Sequence, residues 1–138
     1  MIDFGKKLKE AKVAKALRPE EIYDSLDRTT EAGPLREVQK LILGEWYEHY
    51  RDKKDLIIKL HTGEGKTLIG LLILQSILNQ KAGPCIYICP TKNLATQVTK
   101  EAKKFGIPFC TITDSYLPVE YENGEKILIT YVPKVFNG

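Results

Sequence analysis

The sequence predicts an α/β fold in which a mainly parallel β-sheet carries helices on both faces. From residue 35 onward, short apolar segments typical of buried strands alternate with longer segments of helical periodicity. A glycine-rich turn joins one of these apolar segments to the next helix. Alternation of this kind needs right-handed crossovers and hence parallel strands. Ligands of such sheets bind at the carboxyl ends of the strands, so a site is expected in the loops after Leu60, Cys89 and Thr130.

Size and composition are those of one globular domain. The chain has 138 residues, of which 43% are hydrophobic, enough for a single packed core. Charged residues make up 28% and are spread along the chain, so no long segment has the composition of a disordered tail. The formal net charge of +3 is below the strongly basic balance of a dedicated nucleic-acid coat protein.

Residues 1–33 predict an N-terminal helical segment, with helices over residues 2–17 and 20–28, ahead of the α/β domain at residues 34–138. The first helix is rich in lysine, which fits a solvated helix face better than a phosphate-contacting arm. The N-terminus has no signal-peptide pattern. The apolar run over residues 68–74 is far shorter than the roughly 20 residues that span a bilayer. We therefore expect a cytoplasmic protein without a membrane partner.

The α/β domain begins with a helix from Leu35, in which apolar residues recur at three- and four-residue steps as far as Tyr50. The run Leu56-Ile57-Ile58 then predicts a buried strand over residues 55–60, which we place in the interior of the sheet. The remaining segments predict helices over residues 66–80 and 92–105, and strands over residues 85–89, 109–113 and 126–130.

The turn after the first predicted strand, residues 60–67, matches the phosphate-loop pattern G-x-x-x-x-G-K-[ST] at every position except the first, which is Leu60. Gly63 and Gly65 permit positive φ, so successive N–H groups can form an anion cradle at the start of the following helix. Lys66 would reach the β- and γ-phosphates of ATP, and the Thr67 hydroxyl would ligate Mg²⁺. The alternative is a strand-to-helix turn that happens to contain a lysine.

Two strings together resemble motifs I and Ia of the superfamily 2 helicases, the DEAD/DEAH-box relatives. The first is Thr62-Gly63-Glu64-Gly65-Lys66-Thr67, and the second is Pro90-Thr91-Lys92-Asn93-Leu94-Ala95-Thr96-Gln97. The resemblance implies a partial RecA-like P-loop NTPase domain. It also implies that Thr91 and Lys92 contact the backbone of DNA or RNA.

Two weaker similarities extend the resemblance in both directions. Leu35-Arg36-Glu37-Val38-Gln39 is similar to the stretch with which many of these helicases recognise adenine, which assigns that role to Gln39. A glutamine amide matches the adenine edge, although a surface glutamine on a helix is nearly as good an interpretation. Residues 127–131 are similar to the strand before motif Ib, which makes Thr130 a candidate phosphate contact. The residues expected to bind the nucleotide are Gln39, Thr62, Gly63, Glu64, Gly65, Lys66 and Thr67, with Lys66 and Thr67 also catalytic.

The sequence lacks two features of the family pattern, and the functional prediction depends on both. The Asp-Glu pair of motif II has no counterpart between Thr91 and Gly138, and the arginine motif of a second RecA-like lobe is absent from the chain. We therefore expect the ATP-binding part of an ATP-dependent helicase or translocase, truncated before the Asp-Glu motif and inactive alone. Two alternatives are a fragment of a protein-translocation motor, which shares the T-G-E-G-K-T string, and a non-catalytic nucleotide-binding interaction module.

Overall fold

The computed structural model describes residues 16–60, 65–113 and 115–136. Most of the predicted helix over residues 2–17 lies outside these ranges. The described elements, in chain order, are α1 (Pro19–Ser25), α2 (Glu37–Glu45) continued by a π-helical segment (Trp46–Tyr50), α3 (Lys66–Asn79), β1 (Ile86–Cys89), α4 (Lys92–Phe105), β2 (Phe109–Cys110), α5 (Val119–Glu122), β3 (Ile127–Tyr131) and α6 (Val132–Phe136).

Three parallel strands form the sheet, in the order β1-β3-β2. Ile86 pairs with Leu128 across β1 and β3, and Phe109 pairs with Ile127 across β2 and β3. The central strand β3 is buried from Ile127 to Thr130, as expected when both faces of a parallel strand are covered. The predicted α/β class with a parallel sheet is therefore confirmed.

One apolar core joins the sheet to the helices. Leu71 and Leu72 of α3, Ala102 of α4 and Ile127 of β3 are all completely buried in it. Tyr23 of the N-terminal helix α1 belongs to the same core, where its ring lies 6.1 Å from that of Phe105. Within the described ranges, no helix combines the length and apolarity needed to cross a bilayer.

Helix α4 was predicted with its exact bounds because both of its ends carry local signals. The Thr91 hydroxyl accepts a hydrogen bond from the N–H of Leu94 at 3.2 Å, which caps the amino end. At the carboxyl end Gly106 has φ of +74°, the left-handed conformation that commonly ends helices at glycine. A Cβ atom on Gly106 would lie 2.4 Å from the carbonyl oxygen of Asp27, so α4 ends directly against the loop that follows α1.

The prediction of an interior strand over residues 55–60 is wrong. This segment has no regular secondary structure, and the sheet of the described residues consists of β1, β3 and β2 alone. Ile57 is 84% exposed, and Leu56 and Ile58 are also exposed. A strand needs a neighbour to satisfy its backbone N–H and C=O groups, and nothing in the described ranges pairs with this segment. Its apolar residues favour burial in a sheet but do not themselves supply a pairing partner.

Smaller differences concern the ends of elements. The helix predicted over residues 20–28 ends at Ser25, and the helix predicted from Leu35 begins at Glu37 and becomes π-helical at Trp46. The strand predicted over residues 109–113 ends at Cys110, because Thr113 instead pairs with Tyr116 in an isolated antiparallel bridge. The short helices α5 and α6 were not predicted.

Candidate functional site

A cavity of about 890 Å³ opens between the start of α3 and the end of β1. Gly65, Lys66 and Thr67 line one side, and Cys89 and Pro90 line another. The last residues of the first family string and the first residue of the second therefore face the same space. The end of β1 is the carboxyl end of a parallel strand, which is where ligands of such sheets bind.

Gly65 occupies a position that requires glycine. Its φ of +72° is left-handed, and a Cβ atom here would lie 2.2 Å from Nε2 of Gln39. Gly65 caps the 14-residue helix α3, so Lys66 stands in the first helical turn with its side chain exposed. The positive end of the helix dipole and the lysine charge both favour an anion at this point. The other residues of the predicted cradle, Thr62, Gly63 and Glu64, lie outside the described residues.

Gln39 is 4% exposed, and both ends of its amide are engaged. Oε1 accepts a hydrogen bond from the N–H of Arg36 at 2.8 Å, and Nε2 donates to the carbonyl oxygen of Gly65 at 3.3 Å. The side chain thus connects the amino end of α2 to Gly65, the residue of the phosphate-loop string that precedes helix α3. Gln39 was predicted as a site residue because its amide matches adenine. Its connection to Gly65 was not predicted.

Tyr87 belongs to the site and was not identified from the sequence. It lies on β1 and lines the cavity together with Thr67. Burial raises the pKa of the Tyr87 hydroxyl. The ring packs on α3, because a Cβ atom on Gly70 would lie 3.1 Å from Cε2 of Tyr87. The only sequence signal was a tyrosine between two isoleucines in a strand that otherwise reads as core.

The three candidate nucleic-acid contacts differ in their exposure. Thr91 and Lys92 are exposed at the amino end of α4, although the Thr91 hydroxyl also caps that helix. Thr130 is only 3% exposed and lies opposite Ile88 in the sheet. Its burial leaves the Thr130 side chain almost no surface to present to a nucleic acid. Two of the three positions, Thr91 and Lys92, are therefore accessible to solvent.

Charge in the cavity favours an anionic ligand. Four cationic side chains and two acidic side chains line it, namely Arg36, Lys66, Lys100 and Lys104 with Glu31 and Glu101. Across the described part of the chain, no group of three or more histidine, cysteine, aspartate or glutamate side chains is placed to hold a metal ion.

The sequence of this chain is similar to a protein family and to a known helicase. The model of the DEAD/DEAH box helicase family matches residues 36–131. DEAD-box ATP-dependent RNA helicase 14 of Arabidopsis thaliana is 46% identical over an alignment of 59 residues, and the match covers 38% of this chain. The match covers 10% of that helicase, so the chain spans about a tenth of the relative's length. No solved structure matches the chain.

Proposed function

We propose that this chain, which belongs to the DEAD/DEAH box helicase family, is the ATP-binding part of an ATP-dependent RNA helicase. One observation carries the proposal: the start of α3, with Gly65, Lys66 and Thr67, faces the same cavity as Pro90 at the end of β1. The site that holds nucleotide and the segment that contacts nucleic acid are then neighbours. We assign the ATP-binding domain to residues 34–138 and the N-terminal segment to residues 1–33, in a cytoplasmic protein.

The residues at the start of α3 fit a magnesium nucleotide. Gly65 carries no side chain and has a positive φ, so its backbone can approach phosphate closely. Lys66 supplies a positive charge for the β- and γ-phosphates, and Thr67 supplies the hard oxygen ligand that Mg²⁺ prefers. We assign Thr62, Gly63 and Glu64, which lie outside the described residues, to the same nucleotide site. Bound ATP with Mg²⁺ would supply the γ-phosphoryl group, whose transfer to water drives the complete helicase.

Adenine recognition by Gln39 is part of the same proposal. An amide presents a donor and an acceptor side by side, as the adenine edge requires. In the structure this amide already holds Gly65 and Arg36, and each of its ends can make one further hydrogen bond, to the base, without giving up that partner. Nucleotide binding would then be coupled to the contact between α2 and the phosphate loop.

Nucleic-acid binding is assigned to Thr91 and Lys92, which are exposed where α4 begins. RNA is favoured over DNA because the Arabidopsis relative is named as an RNA helicase. Contacts to phosphate position a strand without reading its sequence, so binding should depend on salt and only weakly on base composition. Thr130 is left out of this interface because its side chain is buried.

Turnover is assigned to the complete motor and not to these 138 residues. The chain has no Asp-Glu pair after Thr91 to orient the attacking water.

Two titrations and one assay test the proposal on the folded chain. ATP with Mg²⁺ is titrated first, labelled single-stranded RNA second, and phosphate release is then followed with both present. The proposal predicts that both ligands bind and that phosphate release stays at background. A folded chain that binds neither ligand would contradict it, and strong RNA-stimulated hydrolysis would contradict the assignment of turnover to the larger motor.

A further inference from the structure

Residues 55–59 form an exposed apolar segment that pairs with no strand in the described part of the chain. Ile57 is 84% exposed, and its neighbours Leu56 and Ile58 are 43% and 38% exposed. The segment has no regular secondary structure, so its backbone N–H and C=O groups are not engaged in a sheet. Consecutive apolar side chains on such a backbone are the features of a segment that pairs with another strand.

The segment is complementary to itself when a second copy runs antiparallel to it. A twofold axis at Ile57 sets this residue opposite its own copy and sets Leu56 opposite Ile58 of the second copy. The same register sets Asp55 opposite Lys59 at both ends of the paired segment. Residues directly opposite in an antiparallel pair have Cβ atoms about 4.5–5.5 Å apart, close enough for these opposite charges to interact.

Charge selects this register over the neighbouring ones. Asp55 and Lys59 are both exposed, and neither takes part in an ion pair among the residues that the structure describes. A register shifted by one residue would set Lys59 opposite Leu56 or opposite another lysine, Lys54. A parallel pair in register would bring the two Asp55 side chains together. Only the antiparallel arrangement about Ile57 matches both charges and all three apolar side chains.

We propose that two copies of this chain associate in solution through residues 55–59, paired antiparallel about a twofold axis at Ile57. A closed twofold contact uses the same surface on both copies, so the assembly is a dimer. The contact involves few residues, so the dimer is weak and forms in a concentration-dependent way. This association is separate from the binding of ATP and RNA and does not depend on it.

Sedimentation equilibrium of the whole chain measures the association. Concentrations of roughly 10 µM to 1 mM cover the affinities expected of so small an interface, and the wild type should shift from monomer towards dimer across them. Ile57→Lys sets like charges opposite each other at the twofold axis and should remain monomeric. Because Ile57 is exposed, this substitution should leave folding unchanged. Leu41→Lys, at a 64% exposed leucine of α2, is the matched control and should associate like the wild type.

Charge reversal tests the register. Asp55→Lys and Lys59→Asp each turn both opposite-charge pairs into like-charge pairs, so each should weaken association by about tenfold. The double variant restores opposite charges and should associate like the wild type. Mixing the two single variants also restores them, so these two chains should form a heterodimer. The proposal is overturned if the wild type stays monomeric throughout, if Ile57→Lys associates like the wild type, or if the double variant associates as weakly as the single variants.

Discussion

The side-chain nitrogen of Gln39 lies 3.3 Å from the carbonyl oxygen of Gly65, and this contact joins two segments 26 residues apart in the chain. It connects the start of α2 to the residue at which the phosphate-loop string enters α3. Because Gln39 is buried, its two hydrogen bonds are not exchanged freely with water. The conformation of the loop end is therefore tied to that of α2.

Gly65→Ala should destabilise the protein and weaken ATP binding. The positive φ at this position costs an alanine roughly 1–2 kcal/mol, and the added methyl group displaces the end of the Gln39 side chain. Urea unfolding measures the change in the free energy of unfolding. In a Gln39→Ala background the added methyl group meets no amide, so the same substitution should cost less than it does in the wild type. Equal costs in the two backgrounds would argue against the contact.

Gly106→Ala should lower the free energy of unfolding by about 2 kcal/mol or more, the sum of backbone strain and overpacking. The new Cβ atom would lie 2.4 Å from a backbone carbonyl, that of Asp27, which cannot rotate away as a side chain can. Gly33→Ala is the control, because nothing lies within 4 Å of its Cβ position. Urea unfolding of both variants is the measurement. A Gly106→Ala variant as stable as Gly33→Ala would contradict the close contact between α4 and the loop after α1.

Lys92→Ala should weaken RNA binding by a similar factor for unrelated sequences. Loss of one phosphate contact lowers the slope of log affinity against log salt concentration by about 0.7 for a single strand. Fluorescence anisotropy at several salt concentrations gives that slope. Lys103→Ala, at the opposite end of α4, is the control and should leave it unchanged. A loss confined to one RNA sequence would show that Lys92 reads bases.

The pKa of the Cys85 thiol is raised by burial, and this predicts a pH dependence of stability. The folded state holds the thiol proton more tightly than the unfolded chain. The contribution of Cys85 to stability is therefore fully present below the pKa of the unfolded thiol and decreases as the pH rises through that value towards the folded one. Urea unfolding of wild type and Cys85→Ala between pH 7 and 10 checks this. The stability difference between them should shrink at the alkaline end, and a widening difference would contradict it.

Helix α4 and residues 55–60 show what the sequence can and cannot predict about the fold. The signals of α4 are local: Thr91 before its first turn, Gly106 after its last, and apolar residues at helical spacing between them. Residues 55–60 carry an equally clear apolar run, but a strand depends on a partner that local sequence does not specify. The apolar residues that predicted burial are exposed because the described part of the chain supplies no such partner.

The residues of the candidate site also fall into two groups, those that the local sequence predicts and those that depend on tertiary packing. Gly65, Lys66 and Thr67 could be assigned from a contiguous string whose chemistry fixes its spacing. Tyr87 could not, because its place beside Gly70 in the cavity depends on how β1 packs against α3. The burial of Thr130 likewise follows from its place on the central strand, which local sequence does not determine.

Calorimetric titration of ATP in Mg²⁺ into the wild type and Lys66→Ala tests the central claim most directly. Lys66 is exposed, so its replacement should leave the melting temperature unchanged. Loss of its charge-assisted contact with phosphate should weaken binding by about tenfold or more. Lys53→Ala, an exposed lysine that does not line this cavity, should bind ATP as the wild type does. Equal ATP affinity of folded wild type and folded Lys66→Ala would contradict the assignment of the phosphate site to the start of α3.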